Sequence, residues 1–86
     1  MNATPEPDVV MTQWTVYFNP SDYPGLYVVR PFDIVNGEPE PVPRLSEHWV
    51  CSSLEEARAI IWRGDPGLVC ITRHPSDPSP IVEVWL

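Results

Sequence analysis

The sequence predicts a small α+β domain. It reads as an antiparallel sheet of four strands, or five if His48–Cys51 is counted, with one helix packed on one face, in the order β-β-(β)-α-β-β. Three observations lead there. Apolar and polar residues alternate from Gln13 to Asn19, the period of a half-buried strand. Leu54, Ala57, Ile60 and Ile61 recur at helical spacing behind a pair of serines. Pro24-Gly25 and Pro66-Gly67 break the chain between such segments. The 86 residues allow one domain. One helix over one sheet face is the economical way for so short a chain to bury both apolar surfaces.

The first strand sets Trp14, Val16 and Phe18 to one side and Thr15 and Tyr17 to the other. Tyr23-Pro24-Gly25-Leu26 carries proline and glycine at the central positions of a type II turn, where glycine supplies the positive φ. Leu26–Ile34 is the returning strand. Pro31 lies inside it and, lacking a ladder donor, is expected at an open edge or a bulge. The domain proper is expected over 12–86, behind a flexible tail over 1–11. Prolines 39, 41 and 43 make 36–47 read as a stiff, extended connector, although Asn36-Gly37 alone would suggest a tight turn.

Ser52 and Ser53 each precede a glutamate by three residues, so either can close a capping box at the helix start. Gly64 is placed as the C-terminal stop, with Arg63 in the last turn. Leu68–Arg73 and Ile81–Leu86 are the last two strands, joined by a proline-rich turn over 75–80.

Composition excludes several function classes. Leu, Ile, Val and Phe make up 23 of the 86 residues, above the ~20% below which charged chains stay disordered. No apolar run is long enough to cross a membrane as a helix, and the first residues lack the basic and apolar regions of a secretion signal. With only two cysteines, the cytoplasm is the expected compartment. All five cationic residues are arginines, so Schiff-base and P-loop lysine chemistry is excluded. A net charge of −7 with scattered arginines disfavours direct nucleic-acid binding and permits a basic protein surface as partner, including one that normally holds nucleic acid. No cofactor is expected.

His48-x2-Cys51 and Cys70-x3-His74 make the sharpest chemical pattern, four zinc-competent side chains in two pairs. On a strand, however, residues three apart point to opposite faces, so His48 and Cys51 diverge and buried, inert cysteines are the better reading. The same four residues would serve a Cys/His enzyme only in a pocket that a single small sheet and helix hardly provide. Asp22 could be taken for a catalytic acid, but in Pro-Ser-Asp-Tyr-Pro-Gly an aspartate suits a turn bonded to its own backbone. Neither catalysis nor a metal site is expected.

The segment Trp14-Thr-Val-Tyr-Phe-Asn-Pro-Ser-Asp-Tyr-Pro-Gly-Leu-Tyr-Val-Val-Arg30 resembles the opening of a family of short, uncharacterised bacterial proteins. Ser53-Leu-Glu-Glu-Ala-Arg58 and Ile81-Val-Glu-Val-Trp-Leu86 resemble the same family. The resemblance covers 14–86 and implies a bacterial or phage origin and one small domain. It carries over no functional residue.

The expected function is therefore a non-enzymatic protein-interaction domain. Its contact surface would be the sheet face turned from the helix, carrying Tyr17, Arg30, Arg73 and Trp85, together with the Asp22-Tyr23 turn. These are residue types enriched at binding hot spots. Two other readings stand beside it: an acidic inhibitor of a nucleic-acid-binding protein, and a zinc-binding or Cys/His protein using His48, Cys51, Cys70 and His74. A homodimer through the edge of the Leu26–Ile34 strand is a further expectation.

Overall fold

A computed structural model describes residues 9–44, 46–72 and 80–86. The chain runs β1 (Val9–Phe18), β2 (Tyr27–Val35), β3 (Val42–Pro43), β4 (Trp49–Cys51), α1 (Leu54–Gly64), β5 (Cys70–Thr72) and β6 (Ile81–Trp85). The strands form one antiparallel sheet in the order β3-β2-β1-β6-β5, with β4 also beside β2. The α+β class, the antiparallel sheet and the single helix on one face are as expected. The sheet has six strands rather than four or five, because the proline-rich connector contributes β3.

β1 holds the centre, paired with β2 on one side and β6 on the other. Its alternation places Trp14 and Val16 under α1, where they join Val29, Cys51, Ala57 and Ile61 in the buried core. Burying side chains such as Val16 and Ile61 is worth roughly 1.5–3 kcal/mol each. β1 begins at Val9, so 9–11, expected in the tail, belong to the sheet; residues 1–8 lie outside those described.

The loop from β1 to β2 is built by Asn19 and Gly25. Asn19 takes the left-handed conformation at φ 56°, its backbone N–H donates to the Leu26 carbonyl at 2.8 Å, and its Oδ1 accepts from the Gly25 N–H at 2.7 Å. Gly25 has φ 77° and Leu26 N–H donates back to the Tyr23 carbonyl, the expected type II turn.

Pro31 sits where the outer edge of β2 changes partner. β4 pairs with Tyr27–Val29 and β3 with Phe32–Asp33, leaving Pro31 between them. The Arg44 N–H donates to the Pro31 carbonyl from that outer side at 3.2 Å. A residue's N and carbonyl point to the same side of a strand, so the missing donor faces outward and the β1–β2 ladder loses nothing. The expected polyproline connector is thus corrected: the chain turns at Asn36-Gly37, with Glu38 N–H donating to the Val35 carbonyl, and comes back along β2. The Leu26–Ile34 strand, expected to offer an open edge, is paired with β3 and β4 along that side.

Ser53 is the N-cap of α1. Its Oγ accepts from the Glu56 N–H at 3.1 Å, while the Glu56 carboxylate accepts from the Ser52 N–H at 3.0 Å. Both serines therefore take part. Gly64 is the last helical residue, not a left-handed stop; Asp65 caps the helix by donating its N–H to the Ile61 carbonyl at 2.8 Å. Glycine is needed at 64 for another reason. A Cβ there would lie 3.2 and 3.3 Å from the Trp14 ring.

Candidate functional site

The outer face of the sheet is assembled by register. Tyr17 stands opposite Val28, which stands opposite Val50. Thr15 lies between Arg30 and Val84, and Val84 is opposite Ile71. Gln13 and Met11 continue the face beside Phe32 and Ile34. Among the described residues no second layer of helix or strand lies over it. The face is apolar except for Gln13, Thr15, Tyr17 and Arg30. Thr15 and Val28 at its centre are buried, while Met11, Val50 and Ile71 are exposed towards its borders at 40%, 41% and 47%.

Four of the six expected binding residues gather at the turn end of this face. Arg30 Nη2 donates to Asp22 Oδ2 at 3.1 Å, tying the turn to β2. Tyr17 lies close enough to Arg30 for the guanidinium to act on its phenol: burial pushes the pKa up, and the positive charge offsets part of that rise. Tyr23 shares a hydrogen bond with His48 Nε2 at 3.2 Å, linking the turn to the residue before β4. His48, considered in the sequence only as a metal ligand or a Cys/His catalytic partner, thus belongs to the border of this surface. The pattern signal for it was there: His48 and Val50 share parity along β4.

Trp85 is not on this face. It pairs with Trp14 and packs against the core on the helix side. Its strand partner Glu83 points the same way and is only 5% exposed. The Arg58 guanidinium grips both Glu83 carboxylate oxygens, and Trp85 Nε1 donates to Oε1 at 3.1 Å. Burial alone would push the Glu83 carboxyl up, but these hydrogen bonds and the adjacent guanidinium outweigh it and hold the pKa below the ordinary value. A bulge at Val82 lets that residue also face the core, so the expected alternation of β6 is broken at its start. Arg73 lies outside the described residues.

Of the four candidate zinc ligands, the described His48, Cys51 and Cys70 do not converge. Cys51 is on β4 and Cys70 on β5, at opposite borders of the sheet with β2, β1 and β6 between them. Four strand spacings amount to about 19 Å, far beyond the reach of a shared ion. His74 lies outside the described residues. Burial raises the pKa of both thiols, with Glu56 adding to the effect at Cys51 and Glu83 at Cys70, the reverse of an activated nucleophile.

Two grooves flank α1 on the other side of the sheet. One, of ≈ 770 Å³, is open and mixed in character, with Trp14, Trp49, Arg44 and Arg63 among its walls. Trp14 and Trp49 lie 5.7 Å apart there, and the buried Trp14 Nε1–H has no acceptor among the described residues. Arg44 is engaged by Asp33 at 2.8 Å and by Thr12 at 2.8 Å. The other groove, of ≈ 320 Å³, is almost wholly apolar and runs between α1, Leu68 and Trp85.

No protein-family model, no curated protein and no solved structure matches the chain. Among the described residues no helix is long and apolar enough to cross a membrane.

Proposed function

We propose that the protein is a non-enzymatic interaction domain whose outer sheet face, bordered by Asp22, Tyr23, Arg30 and His48, docks a partner protein. The supporting observation is that this face is apolar from β4 to β5 and has no covering layer among the described residues, while the helix and its core occupy only the other side. The exposed apolar side chains of the face are Met11, Val50 and Ile71 towards its borders, and exposed apolar patches on small proteins mark contact sites.

The partner is expected to be a different protein with an apolar centre and a basic border. A second copy would bring two chains of net charge −7 together, whereas a basic border complements Asp22 at one end of β2 and the exposed Glu38 and Glu40 beyond its other end. The same reading puts the protein in a bacterial cytoplasm. Support for this comes from the motif resemblance and from two cysteines that stay free at opposite borders of the sheet.

The test is affinity capture with the wild-type chain and with the double variant Val50→Glu, Ile71→Glu. Both positions are exposed, so the variant is expected to keep its circular dichroism and melting profile while losing the partner. A folded variant that captures the same partner as strongly refutes the reading.

A further inference from the structure

We infer that the apolar groove along α1 is a binding slot for a lysine side chain presented by a partner protein. It lies across the sheet from the outer face and does not depend on that face being a contact surface.

Two indoles and two carboxylate residues are among its lining. Trp62 is 62% exposed, and it lines the groove together with Trp85. Trp85 is held in orientation by its hydrogen bond to Glu83. Ala59, Ile61 and Leu68 add apolar lining, and Glu55 and Asp65, near the two ends of α1, are its acidic residues. Arg58 also lines the groove, but its charge is directed into the Glu83 carboxylate. Counting that pair as neutral leaves two negative charges on an apolar slot.

This combination selects a long apolar arm ending in a cation. The methylenes of lysine lie well on indole faces, and its ammonium gains both from the aromatic rings and from carboxylates near its tip. An anion would meet Glu55 and Asp65, and a purely apolar group would leave them unused. The seven residue steps from Glu55 to Trp62 span about 10 Å of helix, long enough for one extended lysine side chain. Net acidity of the whole chain favours approach of the same kind of partner.

The test uses the full chain with 15N-labelled indoles, whose four tryptophans give four separate N–H signals. The probe is the blocked tripeptide acetyl-Ala-Lys-Ala-amide, and the control replaces its lysine by norleucine, which keeps the arm and lacks the ammonium. The lysine peptide is expected to move the Trp62 and Trp85 signals while leaving those of Trp14 and Trp49 in place. The norleucine peptide is expected to bind about fivefold more weakly or worse. Trp62→Ala, at an exposed position, should remove the response, and Glu55→Gln with Asp65→Asn should weaken it. Equal binding of both peptides, equal movement of all four signals, or no movement at millimolar peptide overturns the inference.

Discussion

Glu83 and Arg58 meet on the helix-covered side of the sheet, the carboxylate contributed by the middle of the last strand and the guanidinium by the middle of the helix. Glu83 is nearly sealed from water, its side chain 7% exposed, while Arg58 keeps about half of its surface in solvent. The pair ties α1 to β6, the strand on the far side of β1 from β2 and β4.

This pair makes stability depend on acid in a defined direction. The folded-state pKa of Glu83 lies below its ordinary value of 4.5, so its contribution is complete above that value and is lost as the pH falls through the folded pKa. Melting temperatures measured between pH 6 and pH 3 should fall more for the wild type than for Glu83→Gln in that acid window. Arg58→Ala should raise the Glu83 pKa, read by carboxyl NMR titration, and lower the melting temperature at neutral pH. An unchanged Glu83 titration in Arg58→Ala would show that the pair does not set it.

Gly64→Ala is expected to destabilise, although alanine is the better helix former. The new Cβ would press on the Trp14 ring at 3.2–3.3 Å, and that ring is 6% exposed and backed by Trp49. Overpacking of about 1–3 kcal/mol exceeds a propensity gain of at most about 1 kcal/mol. Thermal melting is the measurement, and a rise in melting temperature would mean that Trp14 can shift.

The N-cap offers a smaller and cleaner effect. Ser53→Ala removes the acceptor for the Glu56 N–H and should cost about 1 kcal/mol, a fall of roughly 4–8 °C in the midpoint for a domain of this size. Urea unfolding should show a lower midpoint and an unchanged slope.

Asn19 performs two tasks that two substitutions can separate. Its left-handed φ favours asparagine or glycine, and its Oδ1 accepts from Gly25. Asn19→Ala loses both and should cost about 1–3 kcal/mol. Asn19→Gly keeps the backbone freedom and should cost less. Equal losses in the two variants would assign the whole effect to the hydrogen bond.

Local signals made much of this fold legible, while pairing partners stayed hidden. The helix limits followed from Ser53, Glu56 and the apolar stripe, and the first hairpin from its alternation and Pro24-Gly25. β6 misled because polarity argues for Glu83 facing water, and Trp85, two residues on, must then face outward with it. Arg58 reverses that choice by giving the carboxylate a partner under the helix, and no rule confined to β6 can contain that fact. Gly64 resembled a stop signal because its neighbour Trp14 lies fifty residues away in sequence. β3 stayed hidden among prolines because a two-residue strand has no period of its own. Of the proposed surface, Tyr17 and Arg30 were readable from strand parity and the Asp22-Tyr23 turn from its composition. His48 joined them only through its bond to Tyr23.

The most direct test of an outer face that docks a partner is site-specific photo-cross-linking in the cells that express the protein. A benzophenone amino acid placed at Val50 or Ile71 should give one discrete adduct with a second, different protein, and the same probe at exposed Ser52 should not. Adducts of equal strength from all three positions, or an adduct of two copies of this chain, would contradict the account.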